Sequence, residues 1–267
     1  MSDDGRTRAE VRAFSDVDGT IRAAILAGRS VDPDLAARVE MLDFSERADL
    51  VDLGFVANFP RLRRLDLTGT GVRDLAPLVG ARRLERLSLI RTAVDDLTPL
   101  VHLPVLAELT IDRTGVTDLT PLAGSTTLRR LDLGETPIGD LAQLGMLPSL
   151  TVLDIGTAPA LRRIDFSGLP ALETLVGVMV GDATLWPAAF PATLSELIIG
   201  DAAWPEGRPL PDLPRMITPD WRVIDDGAPC SDAFEFWRMV CGGEDEDGAA
   251  GTTASAGEPD ATGHREG

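Results

Sequence analysis

Apolar positions between Leu62 and Leu144 recur every 22 residues, and four segments lie on one another without a gap: LRRLDLTGTGVRDLAPL, LERLSLIRTAVDDLTPL, LAELTIDRTGVTDLTPL and LRRLDLGETPIGDLAQL. Leucines stand at 62, 84, 106 and 128 and again at 65, 87, 109 and 131. The next column is Leu67, Leu89, Ile111 and Leu133, followed by Thr70, Thr92, Thr114 and Thr136. Self-similarity at such a period marks stacked units, none of which can bury its apolar face alone. Within a unit the LxLxx piece alternates, so Leu65 and Leu67 point inward while Arg64, Asp66 and Thr68 point out from a short parallel strand. The threonine turns back inside, where its hydroxyl can satisfy backbone groups of the adjoining loop. The following DLxPL piece places Asp74, Asp96 and Asp118 where a carboxylate caps a short turn, with Pro where no backbone donor is needed. Gln143 breaks that rule in the fourth segment.

The register extends both ways. A first unit at Val39, Leu42 and Phe44 runs one residue longer than its neighbours and rejoins the pattern at Leu50 and Leu53. Later units follow at Leu150, Leu153 and Ile155, at Leu172 and Leu175, and at Leu194, Leu197 and Ile199; their threonine position becomes Ala158, Val180 and Ala202, which predicts less regular loops. Ahead of the array, two amphipathic stretches, Asp18 to Leu26 and Asp34 to Val39, predict a helical cap, the second led by Pro33. Behind it, Trp221 to Ile224 reads as a last strand. Ser231 with DAFEFWRMV reads as an N-capped helix carrying Phe234, Trp237 and Val240 on one stripe. The domain reading is a helical cap over 1–38, about eight repeats over 39–215, a C-terminal cap with a helix over 216–241 and a disordered acidic tail over 242–267.

These columns resemble the 22-residue leucine-rich repeat of bacterial internalins and of the eukaryotic phosphatase-regulatory repeat proteins, with Thr standing where the family pattern usually has Asn. The resemblance covers roughly residues 39 to 215. It implies an α/β solenoid with a curved parallel β-sheet on the concave face and short turns or 3-10 helices on the convex face. It also implies a non-enzymatic module that binds a protein partner through the concave face.

Composition changes that picture in two ways. All 25 basic residues are Arg, Lys and Tyr are absent, and Asn58 is the only Asn, as in a GC-rich bacterial genome, so the Thr column reads as a substitute for scarce Asn. The formal charge of −18 divides into −6 on the tail after Cys241, −1 on the first 38 residues and −11 on the array. A net-negative array disfavours nucleic acid and anionic membranes. No apolar run approaches the ~20 residues of a membrane span, and MSDDGRTRAEVR has no apolar stretch behind a basic start. The expectation is a cytoplasmic monomer.

Catalytic chemistry has one tempting motif. In FSDVDGTI, Asp16, Asp18, Gly19 and Thr20 resemble the DxDGT loop of haloacid-dehalogenase-like phosphatases, where the first Asp attacks phosphorus and the second serves as acid and base. VIDDG at Asp225 and Asp226 loosely echoes that family's metal motif. The family needs an apolar strand before the loop and a doubly wound sheet around it; here Arg12 interrupts the strand and a repeat array follows. A small phosphatase is therefore the alternative reading, and a helix start capped by Asp18 is the one adopted. Cys230, Ser231 and Asp232 match the CxD of leucine-rich-repeat ubiquitin ligases, but fewer than 40 residues follow, too few for their catalytic domain. His102 and His264 share no metal-ligand spacing with a cysteine, and without Lys there is no phosphate-binding GxxxxGK loop. No catalytic residue, metal or cofactor is expected.

The concave face remains. Its outward columns are Met41, Arg64, Arg86, Glu108, Arg130, Val152, Thr174 and Glu196, and then Asp43, Asp66, Ser88, Thr110, Asp132, Asp154, Val176 and Ile198. With Ile90, Arg91, Asp112 and Arg113, the middle of the array carries an Arg-rich strip edged by carboxylates. The candidate partner-binding set is Arg64, Asp66, Arg86, Ile90, Arg91, Glu108, Asp112, Arg113, Arg130 and Asp132. Guanidinium forks suit carboxylates supplied from outside, so the expected partner is a protein with an acidic patch. Val152, Val176, Val178 and Ile198 form an apolar continuation, read as buried beneath the segment containing Trp204 and Trp221. A regulatory or immunity-type subunit that masks an enzyme differs from this reading only in the identity of the partner.

Overall fold

The computed structural model describes residues 19–177, 179–180, 190–199 and 215–217. Residues 19–26 are helical (α1). A single-turn helix α2, Pro33–Ala36, follows with Pro at its start and the Asp32 carboxylate accepting the N–H groups of Asp34 (2.9 Å) and Leu35 (3.1 Å). Asp16 and Asp18, Val178, Trp204, the Trp221–Ile224 segment, Cys230, the 231–240 segment and the tail lie outside the described residues.

The array supplies nine parallel strands to one sheet. They are β1 (Met41–Asp43), β2 (Arg64–Asp66), β3 (Arg86–Ser88), β4 (Glu108–Thr110), β5 (Arg130–Asp132) and β6 (Val152–Asp154), then β8 (Thr174–Gly177), β10 (Glu196–Ile199) and β11 (Arg215–Ile217). A separate pair, β7 (Thr157–Ala158) and β9 (Met179–Val180), lies beyond the ends of β6 and β8. Met41 aligns with Arg64, the longer first step expected from the sequence, and Arg64, Arg86, Glu108, Arg130, Val152, Thr174 and Glu196 then follow one another at the 22-residue spacing. The strand after β10 is Arg215–Ile217, which periodicity did not reveal.

Short 3-10 turns occupy the other side at Gly54–Asn58, Ala76–Gly80, Thr98–His102, Thr120–Leu122 and Leu141–Leu144. Each is entered by an Asp whose carboxylate accepts the N–H two residues on: Asp52 from Gly54, Asp74 from Ala76, Asp96 from Thr98, Asp118 from Thr120 and Asp140 from Ala142, at 2.8–2.9 Å. That local bond competes with extended backbone and starts the turn. Gln143 has a different task, its side-chain oxygen accepting the N–H of Leu119 in the preceding repeat at 3.0 Å. Beyond Leu144 no 3-10 turn occurs among the described residues, so the later units are looser as their altered columns predicted.

The leucine columns form the core, with Leu65, Leu87, Leu109, Leu131 and Leu153 all buried. At ~1.5–3 kcal/mol per buried leucine, this shared interior outweighs any single surface contact. Inside it the threonine hydroxyls donate to the carbonyl three residues back: Thr70 to Leu67, Thr92 to Leu89, Thr114 to Ile111 and Thr136 to Leu133, at 2.6–2.7 Å. The acceptor is the strand's own exit rather than the adjoining loop. At the N-terminal end Phe44, Phe55 and Phe59 close the core, with ring centroids 5.1 and 6.2 Å apart.

Candidate functional site

Accessibility along the concave columns falls from the N-terminal end. Met41 is 55% exposed, whereas Asp132 is 5%, Val176 4% and Ile198 1% exposed. The exposed outward residues, Met41, Arg64 and Arg86, lie on β1 to β3, and from β4 onward both columns are half-buried or buried. Arg64 and Arg86 are both exposed and directly aligned on neighbouring strands, about 4.8 Å apart by strand geometry. Arg86 leans to Glu108 on the next strand at 3.1 Å; Arg64 enters no ion pair among the described residues. Ile90 is half-buried beside them.

Arg130 and Asp132 differ from the solvated pair the alternation predicts. Arg130 donates from Nε (3.1 Å) and Nη2 (3.0 Å) to Asp132 Oδ2, and the two side chains keep only 16% and 7% exposure. Thr68, also placed outward by alternation, is buried, its hydroxyl 2.9 Å from that of Ser88 while its N–H donates to Asp66. These residues shape the face rather than present themselves on it.

Next to Arg130 lie three carboxylates, Asp112, Asp132 and Asp154. Asp132 and Asp154 are register partners on adjacent strands. Burial, with the Asp132 charge adding to it, pushes the Asp112 carboxyl up to about 7 against the opposing N–H of Gly134. Burial also raises Asp132 despite Arg130, and burial together with the charges of Asp132 and Asp112 raises Asp154 well above the ordinary carboxylate range. Asp112 Oδ2 and Asp132 Oδ1 are buried without a hydrogen-bond partner. Among the described residues no group of three or more His, Cys, Asp or Glu has the geometry to hold a metal ion.

A further row escaped the sequence reading. The residue that leaves each strand's loop is left-handed in five consecutive repeats: Glu46 (φ 60°), Gly69 (66°), Arg91 (55°), Arg113 (54°) and Glu135 (52°). Each sends its N–H to a carbonyl of the next repeat, as Arg91 does to Asp112 at 3.0 Å and Arg113 to Gly134 at 2.9 Å. That bond fixes the conformation. Glycine suits it best, and a side chain there costs roughly 1 kcal/mol or more, yet four of the five positions carry charge. Their side chains pair along the row: Arg91 with Glu46, across Gly69, and Arg113 Nη2 with Glu135 Oε1 at 2.6 Å. Exposed pairs contribute about 0–1 kcal/mol, so pairing offsets the strain at best. Gly69 in this column was the available sequence signal.

Two other features lie apart. A cavity of about 460 Å³ opens between α1 and the first repeat, lined by Ile25, Leu26, Val31, Val51 and Phe55 with Asp52, and no column residue borders it. His102 sits exposed on a 3-10 turn of the opposite side. No described helix is long and apolar enough to cross a membrane.

No family model matches the sequence, and no curated protein matches it. Among solved structures the fold is similar to the internalin inlF from Listeria monocytogenes (20% identity, TM-score 0.45), over 67% of this chain and 60% of that one. It is similar to internalin C2 from the same organism (21%, TM-score 0.47), over 73% of this chain and 89% of that one. It is also similar to TLR13 in its complex with ssRNA13 (19%, TM-score 0.47), over 64% of this chain and 30% of that one. Its 22-residue register, parallel sheet and buried leucine and threonine columns give the chain the leucine-rich-repeat solenoid fold.

Proposed function

We propose that this protein is a non-enzymatic binding module, acting in the cytoplasm as a monomer, whose concave face recognises an acidic surface on a protein partner. The observation that carries the reading is the distribution of exposure. Arg64 and Arg86 stand open and adjacent on β2 and β3, with Arg91 and Arg113 at the strand exits, while the apolar column at Val176 and Ile198 is closed. Aligned guanidinium groups repel one another unless carboxylates lie between them. Glu108 supplies one such carboxylate for Arg86, and a partner's acidic side chains would supply the rest. The chain's net charge of −18 would repel acidic surfaces that do not meet this strip, which adds discrimination. Nucleic acid does not fit that charge.

The test is affinity capture from the native cell extract with the wild-type chain and with Arg64→Ala/Arg86→Ala/Arg91→Ala. A protein retained by the first and lost by the second supports the reading; identical recovery by both contradicts it.

A further inference from the structure

We propose that Glu46 and Glu135 are internal stand-ins for a partner's carboxylates: they hold Arg91 and Arg113 self-paired, and an acidic segment of the partner protein engages these arginines by displacing them. The inference rests on the reading that the concave face binds an acidic protein surface, and it adds how that site is kept occupied in the free chain.

The geometry begins with the left-handed row. Glu46, Gly69, Arg91, Arg113 and Glu135 occupy equivalent positions in five successive repeats, so the two arginines are neighbours, flanked on one side by a glycine and on both outer sides by a glutamate. Gly69 has no side chain to fill its place, and the Glu46 carboxylate lies over it, where a Cβ would approach Glu46 Oε2 at 3.0 Å. Only across that gap can Glu46 reach Arg91, 45 residues on. Gly69 also shows that the conformation accepts glycine, so the backbone does not call for the charged side chains. They are there for what they present.

The internal pairing leaves capacity unused. Arg91 meets Glu46 through Nη2, while its Nε is buried and makes no hydrogen bond. A partner carboxylate that displaces Glu46 takes over the contact with Nη2 and completes the paired geometry a guanidinium favours once the side chain turns Nε outward. The glutamates are accessible enough to leave, Glu46 being 66% and Glu135 46% exposed. Such exposed pairs are weak and exchange readily. In the free chain they also cover the charge of Arg91 and Arg113, which limits adhesion to anions that offer a single weak contact.

The probe is a fluorescein-labelled poly-glutamate peptide, titrated with the full chain at low salt and read by fluorescence anisotropy, with thermal melting to confirm that each variant folds. Glu46→Gln/Glu135→Gln is expected to bind it at least about fivefold more tightly than wild type, a change readily resolved in Kd. Asp34→Asn/Glu173→Gln, which removes the same two charges at exposed positions outside the row, is expected to change Kd by less than about twofold. Arg91→Ala/Arg113→Ala should lose most of the binding. If both charge-removing variants tighten equally, or Glu46→Gln/Glu135→Gln does not tighten, the stand-in role is wrong, and loss of binding in the arginine variant would leave the acidic-partner reading intact. If no variant binds the peptide, both fall.

Discussion

Arg91 extends its guanidinium across Gly69 to the carboxylate of Glu46, two repeats away, instead of pairing within the repeat beside it. Both residues hold left-handed backbone, at φ 55° and 60°. Arg91→Gly should therefore leave stability within about 0.5 kcal/mol of wild type, relief of strain offsetting loss of an exposed pair. Gly69→Ala should lower it by roughly 1–2 kcal/mol, because the new Cβ meets both the left-handed constraint and the Glu46 carboxylate. Urea denaturation of the two variants checks this, and a larger loss for Arg91→Gly than for Gly69→Ala would contradict it.

The threonine column is a hydrogen-bonding column. Thr92 donates to the Leu89 carbonyl at 2.7 Å inside the core. Thr92→Val keeps the shape but removes the shorter of two bonds to that carbonyl, leaving the residue's own N–H at 3.2 Å, so a loss of about 1 kcal/mol is expected, with Thr92→Ser recovering part of it. A loss for Ser with none for Val would mean that the methyl group, not the hydroxyl, matters.

Much of this was legible in the sequence because it repeats. A 22-residue period repeats Leu65, Thr70 and Asp74 through the four central units, and each has one stable use: core, strand-exit bond and turn start. Periodicity does not report φ, so the left-handed row of Glu46, Arg91, Arg113 and Glu135 stayed hidden although Gly69 lay in it. Nor does alternation report how deep an outward position lies. Asp132 and Ile198 point to the same face as Ser88, yet both are buried, Asp132 with its carboxylate held by Arg130 on its own strand. The Arg86–Glu108 pair was within reach, since equivalent positions in adjacent repeats are neighbours in a parallel sheet.

Asp112 should make stability pH-dependent. Its carboxyl is raised from 3.8 to about 7, chiefly by burial. The folded state therefore holds this proton where the unfolded chain releases it. The associated stability is complete below about pH 4 and is lost as pH rises toward 7. Asp112→Asn removes the loss while its side-chain oxygen can still accept from Gly134. Its Tm should exceed that of wild type by several degrees at pH 8 and by much less at pH 5, at roughly 2–4 °C per kcal/mol. A constant offset between the two pH values would contradict the assignment.

Two glycines distinguish packing from permissiveness. A Cβ at Gly168 would collide with the Gly145 backbone carbonyl, whereas nothing lies within 4 Å of one at Gly80. Gly168→Ala should cost more than about 3 kcal/mol, since backbone must move, while Gly80→Ala should be nearly neutral. Circular dichroism melts of both variants decide it; equal Tm values would contradict the close packing of the loops at 145 and 168.

The central claim is that the open, arginine-bearing part of the concave face is the binding surface. Its most direct test is the Kd of the captured partner for the wild-type chain and for Arg64→Ala/Arg86→Ala/Arg91→Ala, measured by isothermal titration calorimetry. The account predicts a loss of about 1–3 kcal/mol, or roughly 5- to 150-fold in Kd, with unchanged folding. A Kd within about twofold of wild type would place the binding surface elsewhere.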